Sequence, residues 1–565
     1  MSQNLKAFTP ADNSQLFSND AGFQELLSFV AGEREKDRLH SILGAWEKKI
    51  PLWNDLAAEA ARPEKLPRVE KYDRVGNRVE RVVFPLETKT IRREVVEGGI
   101  FSNQSEVEKF AKIYLLAQIG EAGVTCPLAC TDGLIRVLQI LGSDFLKKEY
   151  LPKLLSAEYP LSGAQFITEQ SGGSDVGAIE GTARENSDGS WSITAEKWYC
   201  SAYDEFFCLA ARADGSPEGT KGVSIFFVPR TIDGKPNNLF IRRLKNKLGT
   251  QSLPTAEVDF EGSKGWLIGK KEDGFHNLMS YILNVSRIHN AANSLALHRR
   301  VYVETLNYAV QREAFGSKLI QFPLIQQSLI SILAPLYSRR ALFFGLLSAI
   351  DRNGFLPEER EERLWQRFLI NLMKYRTAFQ LTDKVKEAIL VFGANGIIED
   401  FSIVPRLLRD SLIVETWEGP HNVLCLQILR DADRFDFLGR FKKEIGRIAQ
   451  SWPEGTLDES RKIYLDAVKK GEELFTKEHL ADKVWVQTHA RRIVDHIGDL
   501  LEIGGLIRQG VVQKNNRLLL IAAYLIHDSF CEPLAGFDNP VIQNLPQIGL
   551  DLVSERPVKG DVKMF

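Results

Sequence analysis

The segment Phe166-Ile167-Thr168-Glu169-Gln170-Ser171-Gly172-Gly173-Ser174-Asp175-Val176 marks a change of period in this 565-residue chain. Upstream of it, apolar residues recur at helical spacing. Val107, Phe110, Tyr114 and Ala117 form one stripe, with Lys109 and Lys112 off it. Downstream the period is two. Trp191, Ile193 and Ala195 alternate with Ser192, Thr194 and Glu196, and Asp188-Gly189 just before them is a hairpin turn signal. Further short strands are expected over 206–211, 222–228 and 256–260, each bounded by Gly, Pro or Asp. Within the segment itself, two glycines let the backbone approach a ligand closely, and the hydroxyls of Thr168 and Ser174 can bond a ligand's polar edge. A plain polar turn is the alternative.

Working outward, the chain reads as mainly α with a central antiparallel β domain. Four segments are expected: a helical domain over 1–159, a barrel-like β domain over 160–270, a four-helix-bundle domain over 271–435 and an additional helical domain over 436–565. The stretch 62–93, rich in charge and β-branched residues, reads as an extended or looped insertion. Long runs at 274–312, 323–352 and 358–392 contain few breakers and should pack as an antiparallel bundle. Ile493, Ile497, Leu500, Leu501 and the run 518–526 give the last segment enough apolar surface for a packed domain.

A formal net charge of -2 speaks against a dominant polyanion-binding role. Six cysteines are too few for a disulfide scaffold, and the close pair Cys126 and Cys130 has no second pair to complete a zinc site. No metal is expected. His489 and His496 read as surface or core residues. No export signal and no membrane-spanning apolar run is recognised, and Val562-Lys563-Met564-Phe565 is not a peroxisomal or retention signal, so a reducing cytoplasmic location is the default.

Neither GxGxxG after a strand nor GxxxxGK[ST] occurs, which leaves no Rossmann or P-loop site. Gly172-Gly173-Ser174-Asp175 is not a hydrolase nucleophile elbow. Downstream stands Lys197-Trp198-Tyr199-Cys200-Ser201, an aromatic strand ending in a hydroxyl. A flat aromatic cofactor needs such a pairing, with ring faces to cover it and a hydroxyl to bond its heteroatoms.

With these segments on the page, the sequence resembles the acyl-CoA dehydrogenase family. Thr168 to Asp175 and Lys197 to Ser201 match two of its motifs. Arg312-Glu313-Ala314-Phe315-Gly316, Gly393-Ala394-Asn395-Gly396 and Trp417-Glu418-Gly419 match three more, all in the family's order. The resemblance implies non-covalent FAD, an acyl-CoA substrate and a place in fatty acid metabolism. It implies that Thr168 and Ser201 bond the flavin ring with Tyr199 beside them, and that Ser174 lies where cofactor and thioester meet. Arg312 and Phe315 would reach the FAD of a neighbouring subunit, giving a homo-oligomer, dimer or tetramer, and Gly393 would also bind the cofactor. Asn422 would contact FAD near its adenylate part, Arg287 the CoA part, and Gly419 the substrate.

Glu418 is implied as the base that removes the α-proton, a step that needs a placed carboxylate and a stabilised enolate. Trp417 and the apolar run before it should keep water from that carboxylate. The alternative is that Glu418 caps the helix beginning near His421. Pro420, Pro323, Leu390 and Asn284 depart from the family pattern at the base, at the partner's FAD and on the CoA side. The extra C-terminal domain and the Trp-Glu-Gly form look most like the alkylation-response branch, some of whose members bind DNA. Here that domain is nearly neutral, so no strong nucleic-acid binding is expected. Electrons would pass to an electron-transfer flavoprotein. The competing expectations are an acyl-CoA oxidase, or a flavoprotein with weak dehydrogenase activity and a nucleic-acid-binding or protective role.

Overall fold

Burial alternates along the strand Trp191–Ser201 as the sequence requires, with Trp191, Ile193, Ala195 and Lys197 facing inward. In the computed structural model, which describes residues 8–102, 105–531 and 539–558, this strand is the centre of a seven-stranded sheet. The C-terminal tetrapeptide lies outside the described residues. The contacts divide the chain into two compact units. One is Pro51–Gln104 with Ile119–Asn290, and the other is Met1–Ile50, Ser105–Gln118 and Ala291–Phe565.

In the unit that holds the sheet, Trp191–Ser201 runs antiparallel to Thr255–Leu267 on one side and to Thr182–Glu185 on the other. Thr182–Glu185 pairs with Phe206–Ala213, which pairs with Val223–Pro229, and that strand returns to the end of Thr255–Leu267. The pairing closes five strands into a ring, which removes their free edges. Closure happens at Gly265, where a Cβ would stand 2.8 Å from the Ile193 side chain and 2.9 Å from the Phe227 carbonyl oxygen. Only glycine lets the strand leave one partner for the other there. The expected antiparallel domain is corrected in one respect. Phe206–Ala213 pairs in parallel with both Gly163–Phe166 and Thr182–Glu185, so the sheet is mixed. Such a strand is covered on both faces. It and Val223–Pro229 are accordingly apolar almost throughout rather than alternating.

The expected insertion is half hairpin and half helix. Arg68–Tyr72 pairs with Arg78–Val83 around a turn fastened by Asp73, and the helix Leu86–Glu97 follows. The hairpin is tied to the sheet through buried Glu80. Its carbonyl accepts from Tyr203 Oη at 3.0 Å, and its carboxylate accepts from the Ile241 N–H at 2.8 Å.

The other unit is helical. Its elements include Pro323–Asn353, Arg360–Ala378, Leu381–Phe392, Phe437–Ser451, Asp458–Leu474, Lys483–Val512 and Asn516–Phe530. The helix Asn284–Gln311 crosses the division, its first turns counting with the sheet unit. The run expected over 358–392 is two helices, because Phe379 is extended and Gln380 takes a left-handed conformation, φ 62°. Pro323–Asn353 is long and apolar enough to cross a membrane, but 78% of its apolar window is buried. It also carries Arg340, whose guanidinium is bonded to the buried carboxylate of Asp20 at 2.9 Å and to Tyr114 Oη at 3.0 Å. It is a core helix.

His298 links two of these helices, its Nε2 lying 2.7 Å from the Ile332 carbonyl oxygen, which requires the protonated, donating nitrogen of a neutral ring. Burial, and then the nearby Arg339 charge, push its pKa from 6.5 down to about 3. An unfolded histidine therefore binds a proton in a range where the folded one does not. The stability this contributes is present above about pH 6.5 and is lost as pH falls from there toward 3. His298→Gln keeps a donor for Ile332 but does not titrate. Its urea midpoint should fall less between about pH 7 and 4 than that of the wild type. Equal slopes in the two proteins would refute the assignment.

Candidate active site

The candidate residues fall in two sets, one in each unit. In the sheet unit, the motif strand does not keep its alternation to the end. Lys197 pairs with Val258 and Cys200 with Ala256, so Trp198 and Tyr199 together oppose the single residue Glu257. This β-bulge turns Tyr199 outward, where it is 52% exposed. It also aims the Trp198 N–H at the Thr168 carbonyl, 2.9 Å away. The two motifs are thereby joined backbone to backbone. Ser201 lies at the end of the strand, with its Oγ 3.0 Å from Thr255 Oγ1. Lys245 Nζ sits 3.4 Å from the centre of the Trp198 ring and bonds Glu257 at 2.8 Å.

Beneath this face is a contact that sequence reasoning missed. Lys197 has no exposed surface. Its three donors go to Glu169 Oε1 at 2.5 Å, the Ala210 carbonyl at 2.7 Å and the Ile167 carbonyl at 3.2 Å. Glu169 in turn accepts from the Glu180 N–H at 2.6 Å and the Gly181 N–H at 3.2 Å. Burial lowers the lysine's pKa and the Glu169 carboxylate raises it, with burial the larger effect. The Glu of the first motif and the Lys of the second are thus a clasp that holds their hydroxyl-bearing neighbours in place. The sequence signal was available: a lysine at an inward position of the alternation demands a buried carboxylate.

The face fits a flat, polar-edged cofactor such as FAD. Tyr199 offers an exposed ring, Thr168 and Ser201 are only partly buried, and Ser174 is exposed. Gly173 lies against Thr168, since a Cβ there would be 3.3 Å from Thr168 Cγ2, so the loop stays low beside the hydroxyl. Arg287 is buried at the start of Asn284–Gln311, behind a π-helical turn, Leu278–Leu283. Nearby, His289 Nε2 is 2.9 Å from Asp132 Oδ2, both buried, a pair that sequence reasoning also missed.

In the helical unit, Glu418 lies in the link between Val404–Thr416 and His421–Ala432. The N-cap position of the second helix is Pro420, so the capping alternative for Glu418 is not what the fold uses. Glu418 has φ 59° and Gly419 φ 107°, a left-handed pair that costs the glutamate strain. Lys374 is buried and donates to the carbonyls of Glu415 at 3.1 Å and Gly419 at 2.9 Å, one on each side of Glu418. Glu415 is committed to the scaffold. Despite burial, hydrogen bonds from His421 and Thr382 hold its carboxyl below the usual range. Phe315 stands at the tip of a tight hairpin, Glu313–Ala314 with Ser317–Lys318, and is 98% exposed with φ 52°. Arg312 is half-buried at its base, Gly393 ends Leu381–Phe392 in an exposed turn, and Asn422 is exposed.

Residues 272–432 match the acyl-CoA dehydrogenase C-terminal domain, residues 164–263 the acyl-CoA dehydrogenase middle domain, and residues 7–160 the adaptive response protein AidB N-terminal domain. The chain is 31% identical over 447 residues to the putative acyl-CoA dehydrogenase AidB of Escherichia coli, covering 74% of this chain and 78% of that one. It is 32% identical over 386 residues to acyl-CoA dehydrogenase family member 11 of Caenorhabditis elegans, covering 64% of this chain and 62% of that relative's own length. A solved structure of Caenorhabditis elegans ACDH-11 in complex with C11-CoA has the same fold, with a TM-score of 0.82 and 24% identity over all of this chain and 95% of that one.

Lys197→Met leaves Glu169 buried with its charge uncompensated. It should destabilise the sheet unit by about 3–5 kcal/mol, the usual effect of breaking a buried ion pair from one side. It should also lower bound flavin, read as the ratio of visible to protein absorbance. A variant with wild-type stability and full flavin would show that the clasp is dispensable.

Proposed function

Because the chain belongs to the acyl-CoA dehydrogenase family, whose members are FAD-dependent oxidoreductases, we propose that it desaturates an acyl-CoA thioester with Glu418 as the α-proton base. When bound, FAD supplies the acceptor for the β-hydrogen and its electron pair. Thr168 and Ser201 bond the polar edge of the ring and Tyr199 covers it. Ser174 and Arg287 serve the thioester and its CoA portion, and Asn422 the adenylate portion of the cofactor. Glu418 takes the α-proton onto its carboxylate. What carries this reading is the backbone of Glu418: a left-handed glutamate, tethered on both sides by a buried lysine, is held in a costly conformation that no helix cap requires.

The same proposal includes the four-segment division at 159/160, 270/271 and 435/436, electron-transfer flavoprotein as the electron acceptor, and a dimer or tetramer. Phe315, Leu324, Leu390 and Ile397 are large apolar side chains on the helical unit that are more than two-thirds exposed, which supports self-association. The match of residues 7–160 to the AidB N-terminal domain favours a second reading, in which a protective role accompanies weak dehydrogenation.

Glu418→Gln should keep fold and FAD content and slow flavin bleaching by acyl-CoA by on the order of 10²–10⁴, the contribution of a positioned general base. Thioester binding should change far less. Anaerobic stopped-flow spectroscopy of both proteins with one substrate decides it, and a mutant within a few-fold of wild type places the base elsewhere.

In sedimentation velocity the wild type should run as a dimer or tetramer. Phe315→Ala should shift it toward smaller species and loosen FAD. A wild type that is monomeric and keeps its FAD would sink the shared-cofactor model.

A further inference from the structure

A cavity of about 690 Å³ opens in the sheet unit between the end of the inserted hairpin, the helix Leu86–Glu97 and the loops at 157–162 and 203–205. None of the motif residues lines it. Two of its lining residues carry a buried donor without a partner among the described residues. Arg92 is 2% exposed, and its guanidinium is fixed on three sides. Nε donates to the Gly123 carbonyl at 2.7 Å, Nη1 lies 3.3 Å from Asp204 Oδ2, and the plane sits 4.3 Å from the Phe84 ring centre. Its Nη2 has no hydrogen-bond partner among the described residues. Ser162, 1% exposed, also lines the cavity, and its Oγ is likewise without a partner. Two buried donors left unmet in one cavity are costly unless something fills them.

The charge around them has one sign to spare. Arg81, Lys89, Arg92, Arg93 and Arg230 face Glu158, Asp204 and Glu205, five cations against three carboxylates. Arg230 is paired with Glu205 at 2.7 Å, Arg92 with Asp204 at 3.3 Å and Arg81 with Glu70 at 2.5 Å. Lys89 and Arg93, one turn apart on the same helix, make no ion pair among the described residues and stay exposed at the rim. The remaining wall is apolar or aromatic, Val82, Val83, Phe84 and Tyr159. Unmet donors at depth, spare positive charge at the mouth and an apolar wall between them describe a site for a small anion with an organic body.

We propose that this cavity binds a phosphorylated small molecule, its phosphate on Arg92 Nη2 and Ser162 Oγ, its body against Phe84 and Tyr159, with Lys89 and Arg93 drawing it in. The site is separate from the dehydrogenase residues and does not depend on their assignment. Calorimetric titration of the FAD-loaded protein with AMP, and separately with inorganic phosphate, tests it. AMP should bind saturably. Ser162→Ala should weaken it about tenfold or more, the scale of one charge-assisted hydrogen bond. Lys89→Gln/Arg93→Gln should weaken it at low salt. Neither variant should lower the melting temperature or turnover, because the lost serine hydroxyl bonds nothing in the fold and the two cations are exposed. Absence of saturable binding of either probe, or AMP binding that is unchanged in either variant, overturns the proposal.

Discussion

Burying an ammonium group in a β-barrel costs several kcal/mol unless all its protons are met. Lys197 meets all three, on Glu169 and two carbonyls. Everything on the outer face of this sheet follows from that. The clasp fixes the loop after Gly163–Phe166 to the motif strand, and the loop is where Thr168 and Gly173 lie. Lys197 is the last residue to face inward before the bulge. The bulge in turn exposes Tyr199 and brings the Trp198 N–H to Thr168. An apolar residue at 197 would fill the same volume, yet would leave the buried Glu169 carboxylate without its countercharge and the loop without its anchor.

Much of this was legible in the sequence. The helix, sheet, helix order, four of the sheet's strands and the five motif strings could be read directly, because period and glycine placement are local properties, whereas Gly163–Phe166, Thr182–Glu185 and Leu239–Leu244 were not read. The bulge could not. Residues 191–196 alternate without a fault, and the slip at Trp198 and Tyr199 is set by the register of Thr255–Leu267 across the pair. The parallel pairs of Phe206–Ala213 were hidden for the same reason, since a strand covered on both faces loses its alternation whichever way its neighbours run. The break at Gln380 interrupts a run that carries no glycine or proline there.

The residues that hold other residues in place were the ones the motif strings did not reveal. Lys197, Glu169 and Lys374 are charged residues that composition alone would place in solvent, although the alternation at 191–197 points Lys197 inward. All three are buried, and each fixes a backbone. Arg287, assigned from the family resemblance, is buried as well, so a role on CoA would begin from within the helix packing rather than from the surface. Near-neutral composition conceals this arrangement. Charges that cancel in the net count are placed inside the units, where each is worth more than it would be on the surface.

The same economy governs the turn that bears Glu418. A left-handed glutamate costs on the order of 1–3 kcal/mol. Lys374 donates two hydrogen bonds across it, and a bond involving a charged group contributes roughly 1.5–3 kcal/mol net. The tether therefore matches or exceeds the strain, so the turn can persist without help from Glu418 itself. Glu415 adds to this by bonding Thr382 and His421, which ties the first helix to its neighbours. Of two glutamates three residues apart, Glu415 is thereby spent on architecture, and Glu418 is the one proposed as the base. Pro420, extended at φ −66°, begins the next helix immediately afterward, so the left-handed excursion is confined to Glu418 and Gly419. A carboxylate that is to meet one particular proton needs its backbone fixed in this way, because a flexible link would spend much of the gain from proximity on ordering the base.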